Sequence, residues 1–176
     1  MRNATELLVQ YAHYHRDRRN IASHLVGVPL IVFSILMLLA RWGVPAGDLL
    51  VTPAWVVFAL AAAWYLSRGH AALGVAVSVA TGVLALLAHA AATAGGTGAW
   101  LGWSIGLFVI GWVIQFVGHW YEGKKPAFVD DLVGLLVGPM FVVAEILFML
   151  GWNTPLQREI ERRAGPTVLR DAARIA

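Results

Sequence analysis

Six histidines and no cysteine set the chemistry open to this chain. Any metal must be held by nitrogen or oxygen, and thiolate ligands, disulfides and cysteine nucleophiles are excluded. Two polar groupings stand against long apolar runs. The first is His13-Tyr14-His15-Arg16-Asp17-Arg18-Arg19-Asn20, followed by His24 inside the apolar run that begins at Ile21. The second is Gln115, His119 and Glu122, at the end of a later run. Ionisable groups inside or bordering membrane helices are costly, so a functional role is their default reading. Neutral imidazoles with carboxylate oxygens suit Fe(II), Mn(II) or Zn(II).

Helix geometry limits which of these residues can converge. At about 100° per residue, Gln115, His119 and Glu122 fall within roughly 60° of one another and form one polar stripe. On one continuous helix His15 and His24 would point to opposite sides, while His13 and His24 would share a face. His15 therefore joins His24 only if the backbone breaks between them. Asp17-Arg18-Arg19-Asn20 is the place expected for that break, with Asn20 able to cap the following helix. Geometry alone leaves His13 and His15 as alternatives, though His13, beside three arginines, reads first as an interfacial residue. Glu145, in the last apolar run, reads as a ligand, a supporting partner or a structural hydrogen-bonder. His70, in a turn, and His89 are expected to lie outside the site.

The elements that must position these residues are membrane helices. Of the 176 residues, 59% are hydrophobic and 13% charged, against about a quarter charged in a soluble domain. The mean hydropathy is +0.70. Apolar runs at 21–40, 49–66, 71–94 and 100–121 approach or reach the roughly 20 residues a spanning helix needs. A fifth, 132–152, is interrupted by Gly138-Pro139. Residues 4–14 are expected to form a short amphipathic helix with Leu7, Leu8 and Tyr11 on one side. The basic tail, 155–176, is expected to lie on the membrane surface. The fold class read from this pattern is all-α, a polytopic membrane helix bundle. It has about four spans, a fifth broken or re-entrant apolar helix, and amphipathic terminal helices. Residues 1–176 read as a single integral membrane domain.

Charge orients the bundle. Arg16, Arg18 and Arg19 precede the first span, Arg68 separates the second and third, and Lys124-Lys125 follow the fourth. By the positive-inside rule these belong to the cytoplasmic side. In a bacterium the membrane would be the cytoplasmic one. A full fifth crossing would carry Arg158, Arg162, Arg163, Arg170 and Arg174 outside, so a break or re-entry at Gly138-Pro139 is expected to leave the tail inside. Both polar groupings then come to one cytoplasmic face. The net charge of +3 comes from these short basic clusters, which read as topology signals and contacts to membrane lipids rather than as nucleic-acid binding.

Two signatures carry a resemblance. Tyr14-His15, Asn20, His24, Gly27 and Pro29 form the first. Gln115, Gly118-His119 and Glu122-Gly123-Lys124-Lys125-Pro126-Ala127 form the second, with Pro139 and Glu145 matching in the last run. Together they resemble a membrane family typified by the fungal 2-hydroxy fatty acid dioxygenase, over nearly the whole chain. The resemblance implies an Fe(II)-dependent enzyme that uses O₂ to shorten 2-hydroxy fatty acids by one carbon, as in fatty-acid α-oxidation. It implies His15, His24 and His119 as iron ligands, and so chooses His15 over His13. It implies Asn20, Glu122 and Glu145 as the supporting polar residues of the catalytic site. The rival readings are a small transporter with a proton relay, or a structural membrane protein. A relay expects a polar path to both sides, yet the outer halves of the first, third and fourth spans are almost wholly apolar, with His89 the one exception.

Overall fold

The computed structural model describes residues 2–47 and 49–171. In chain order the elements are α1 (Ala4–Ala12), α2 (Arg18–Leu39), a hairpin of β1 (Val44–Ala46) and β2 (Leu49–Val51), α3 (Pro53–Leu66), α4 (Ala71–Thr93), α5 (Thr97–Glu122), a 3₁₀ turn (Ala127–Val129), α6 (Gly134–Met149) and α7 (Thr154–Ala164). The chain is an all-α membrane bundle. α2, α4 and α5 are each long and apolar enough to cross a bilayer.

The start of the chain is held by its own caps. Asn3 Oδ1 accepts the Glu6 amide at 2.9 Å, and Glu6 Oε2 accepts the Asn3 amide at 3.0 Å. This capping box closes both ends of the first turn of α1. Leu7, Leu8 and Tyr11 are buried as the amphipathic pattern predicts, and they meet α6 and α7 in one core with Met140, Phe141, Leu156 and Ile160. α1 ends at Ala12 and α2 begins at Arg18, so the chain breaks at 13–17, mostly ahead of the 17–20 stretch expected, where Arg18, Arg19 and Asn20 are already helical. The cap differs from expectation. Asp17, not Asn20, caps α2, accepting the Arg19 amide at 2.8 Å. Asn20 falls in the first turn, where its side chain turns away toward Tyr14 and Glu122.

The second span is shorter than its apolar run. Residues Val44 to Val51 pair as a hairpin, with Val44 opposite Val51 and Pro45 opposite Leu50. Pro53, which has no amide hydrogen to lose, then starts α3. The helix proper has 14 residues, or about 21 Å, against a hydrocarbon core of about 30 Å.

The fifth run breaks later than expected. α6 runs unbroken through Gly138 and Pro139. The bend, 118°, separates it from α7. It is made where Gly151 and Asn153 adopt positive φ, 80° and 49°. α6 starts beyond the Gly123 end of α5 and finishes at the 67–70 turn, where the Asn153 side-chain amide meets His70 Nε2 at 2.9 Å. That turn also touches the N-terminus, through the Ala4 amide and the Arg68 carbonyl at 2.9 Å. Both ends of α6 thus lie at the end of the bundle that carries α1. The tail returns there too. Val168 pairs with the 16–18 backbone through Val168 N to Arg16 O at 2.8 Å and Arg18 N to Val168 O at 2.9 Å. Arg174 lies outside the described residues.

α2 and α5 form the closest helix pair, and small residues set their separation. A Cβ on Gly118 would stand 1.9 Å from Ser23 Oγ and 2.7 Å from Asn20 Oδ1. One on Gly27 would stand 2.9 Å from the Gly111 carbonyl. This contact brings the start of α2 against the end of α5, and with it His24 against His119.

Candidate metal centre

Three imidazoles converge from three separate elements. His15 comes from the loop between α1 and α2, His24 from the second turn of α2, and His119 from the last turn of α5. One nitrogen of each lies within 4.8 Å of the others. All are buried, with 0%, 2% and 6% of their surface exposed. His13 stays outside at the surface, its carbonyl accepting from Lys124 Nζ at 2.7 Å. His70 pairs with Asn153. His89 stands beside Trp55, with ring centroids 6.1 Å apart.

Backbone carbonyls fix the tautomers of two of the rings. His15 Nδ1 donates to the Tyr11 carbonyl at 2.7 Å, and His24 Nδ1 donates to the Asn20 carbonyl at 2.8 Å. A neutral imidazole has one N–H, so each Nε2 is left with a bare lone pair. These two nitrogens face one another at 3.0 Å. Two lone pairs at that distance repel, and no proton can sit between them without charging a ring or breaking a backbone bond. A shared cation resolves the conflict. Two nitrogens about 2.1 Å from one ion and at right angles to each other are about 3.0 Å apart. His119 adds a buried Nδ1 that has no hydrogen-bond partner among the described residues. The donor set is thus three imidazole nitrogens without sulfur, suited to Fe(II), Mn(II) or Zn(II).

Electrostatics hold His15 in the form a ligand needs. Burial, the neighbouring His24 and His119 rings and the Arg16 guanidinium push its pKa well below 6.5, against a weaker opposing pull from its bond to the Tyr11 carbonyl. Tyr11 stacks on it face to face, with centroids 4.0 Å apart and planes 2° from parallel.

The polar residues around the cluster hold its loop. Glu122 Oε2 accepts the Arg16 amide at 2.9 Å, the Asp17 amide at 2.6 Å and Asn20 Nδ2 at 3.2 Å. Its other oxygen takes the Arg170 fork, Nη2 at 2.9 Å and Nε at 3.2 Å. Asn20 Nδ2 also reaches the Tyr14 carbonyl at 3.0 Å. Glu145 lies 3.6 Å from Arg16 Nη2. Burial lowers the Arg16 pKa, an effect that Glu145 and Glu122 oppose. Asp17 is pushed down to about 2, chiefly by its side-chain bond to Arg19. Asn20, Glu122 and Glu145 therefore sit behind the imidazoles, on the backbone and the cations that position them.

Three residues of the centre carry no signal in the spacing of the sequence. Arg16 reads as a topology charge but is buried, with Nε donating to the Ala12 and His15 carbonyls. Arg170 reads as a tail residue but grips Glu122 across the fold. Tyr11 reads as one more apolar position of α1 but covers the His15 ring. His15 and Glu122 are the only pointers to the first two, since each must be oriented by something.

Beside the cluster opens a cavity of about 260 Å³. Its polar end is formed by Tyr11, His24, Gln115 and His119. The rest is walled by apolar side chains of α2, α5 and α6, among them Ile31, Ile35, Phe108, Trp112 and Leu135. Phe108 lies three helical turns before His119, about 16 Å along α5.

No solved structure matches this chain significantly. Among curated proteins it is similar to the 2-hydroxy-palmitic acid dioxygenase MPO1 of Saccharomyces cerevisiae, with 32% identity over 153 residues that cover 86% of this chain and 83% of the yeast protein. The family model described as 2-hydroxy-palmitic acid dioxygenase Mpo1-like matches residues 1–150, a stretch that contains every histidine of the cluster and the whole cavity, and the chain belongs to this Mpo1-like family.

Proposed function

We infer that this chain is an iron-dependent membrane dioxygenase that shortens 2-hydroxy fatty acids by one carbon. The observation that carries the reading is the pair of bare Nε2 atoms 3.0 Å apart, one of them on His24, which lines the polar end of an apolar cavity. Membership of a family named for a 2-hydroxy-palmitic acid dioxygenase supplies the reaction class. With one O₂, the atoms of a 2-hydroxy acid balance as the acid one carbon shorter, CO₂ and water.

His15, His24 and His119 would hold Fe(II), which supplies the redox chemistry that O₂ needs. The substrate carboxylate would lie at the polar end of the cavity, beside His24 and His119. The chain's own residues do the rest. The Tyr11 and Asn20 carbonyls hold two imidazoles in the required tautomer, as such outer partners commonly do for metal-bound histidines. Glu122 fixes the loop that carries His15, helped by Asn20 and Arg170, and Glu145 partners Arg16. The apolar walls take the acyl chain and keep water from the polar end. The basic clusters at this end of the bundle support a site that faces the cytoplasm, with membrane lipids around the outer faces of α3, α4 and α5. A proton or ion relay finds no support in a cavity whose deeper walls are Val, Ile, Phe and Trp.

The test is to purify the full chain in mild detergent without chelators, measure its metals and follow O₂ uptake with 2-hydroxypalmitic acid. One iron per chain, lost in His15→Ala, His24→Ala and His119→Ala, with uptake only from the hydroxy acid, is the expected result. Zinc in place of iron, with no O₂ uptake, would point to hydrolysis and sink the dioxygenase reading.

A further inference from the structure

Gln115 is buried, with 3% of its surface exposed. Neither its amide nitrogen nor its amide oxygen has a hydrogen-bond partner among the described residues. Leaving such a group unpaired costs a helix bundle stability with no return from the fold itself. Its neighbourhood is built around it nonetheless. A Cβ on Gly27 would stand 2.7 Å from Gln115 Nε2, so α2 presents bare backbone where any side chain would displace the amide. The residue lines the cavity, four positions before His119, on the same face and about 6 Å deeper. Below it the α5 contribution to the wall becomes Trp112 and Phe108. Gln115 therefore stands where a polar head held at the imidazoles gives way to an apolar chain.

We propose that the Gln115 amide recognises the C2 hydroxyl of the 2-hydroxy acid, which makes Gln115 the residue that distinguishes hydroxylated from ordinary fatty acids. This rests on the substrate class inferred above. A hydroxyl both donates and accepts, and the Gln115 amide offers both functions without a charge, with neither engaged among the described residues. A carboxylate only accepts, so it engages half of what the amide offers. A fatty acid without the hydroxyl leaves the amide buried and unpaired, and sites of that kind reject the analogue that lacks the bonding group. Gln115 is a positioning residue in this scheme: it sets which carbon lies beside the imidazoles and takes no part in bond cleavage.

The experiment compares two ligands on one protein. The full chain in detergent, loaded with Fe(II) and kept anaerobic to prevent turnover, is titrated with 2-hydroxypalmitic acid and with palmitic acid. Fluorescence reports the binding, because Trp112 lines the cavity. The wild type is expected to prefer the hydroxy acid. In Gln115→Leu the hydroxy acid should bind about 10- to 100-fold more weakly, while palmitic acid binds as before or better. Gln115→Asn, which keeps the amide one methylene short, should recover part of the preference. Palmitic acid binding and the thermal unfolding midpoint check that each variant is folded. A preference unchanged in Gln115→Leu, or a parallel loss for both acids, would overturn the proposal and leave Gln115 a packing residue. If the wild type shows no preference and consumes no O₂ with the hydroxy acid, the substrate reading falls and this proposal falls with it. If the wild type prefers and oxidises the hydroxy acid while Gln115→Leu does the same, only the role of Gln115 is lost.

Discussion

Replacing Glu122 by Gln is the most informative single change, because the carboxylate serves two sets of donors at once. One oxygen receives the Arg16 and Asp17 amides and Asn20 Nδ2, and the other receives the Arg170 guanidinium. A glutamine has one acceptor oxygen and one NH₂. Pointed inward, the NH₂ opposes two backbone N–H groups; pointed outward, it opposes a cation. Either orientation loses at least two bonds to a charged group, each worth about 1.5–3 kcal/mol. The outward choice is cheaper, because the Arg170 side chain is 35% exposed and water can take over. We expect Glu122→Gln to cost about 3 kcal/mol of stability and about 10- to 100-fold in iron affinity, since the loop that carries His15 loses its tether. Metal titration and thermal unfolding of the detergent-solubilised protein measure the two effects. A variant with wild-type stability and full iron content but no O₂ uptake would refute the reasoning, because the carboxylate would then act on the reaction and not on the loop.

Other changes probe other parts of the argument. Gly118→Ala places a Cβ 1.9 Å from Ser23 Oγ, so α2 and α5 must separate; a loss of about 1–3 kcal/mol and lower iron content should appear together in unfolding and metal assays. Stripping the metal with a chelator should lower stability by roughly 2.7 kcal/mol when the ion had been present at a hundred times its Kd, seen as a fall in the unfolding midpoint that Fe(II) reverses. Ile35→Trp should narrow the far part of the cavity and shift the preferred 2-hydroxy acid to a shorter chain, read from relative turnover of a chain-length series. Arg170→Ala should weaken iron binding less than Glu122→Gln, since the inner bonds of Glu122 survive it.

The bundle was legible in the sequence because apolar runs and flanking charges are long-range, additive signals. The convergence of His15, His24 and His119 followed from topology together with the resemblance. The sequence points to a break at 17–20 that turns His15 toward His24; in the fold the break falls at 13–17 and the cap at Asp17 rather than Asn20. Asp17 and Asn20 are both good caps, and the choice was made by Glu122, which draws on the Asp17 amide and on the Asn20 side chain together. The sequence points to Gly138-Pro139 for the break in the last run, because a full crossing would carry the basic tail outside. In the fold Pro139 lies early in α6, and the bend falls where Gly151 and Asn153 take positive φ. The shortening of the second span was missed because a two-stranded hairpin of Val, Leu and Pro has the hydropathy of a helix. Arg170 could not have been found at all, as nothing local ties a tail arginine to a carboxylate in α5.

The strap formed by Val168 and Arg170 also sets an order of events during synthesis. Glu122 and Arg170 are separated by 48 residues, so at about 5–20 residues per second the ribosome needs roughly 2–10 s to pass from one to the other. His15, His24 and His119 all precede that interval. During it the three imidazoles are already in the chain while the loop that carries one of them still lacks its last tether. The proposed metal site is therefore assembled in two stages, the three imidazoles first and the Glu122–Arg170 tether last.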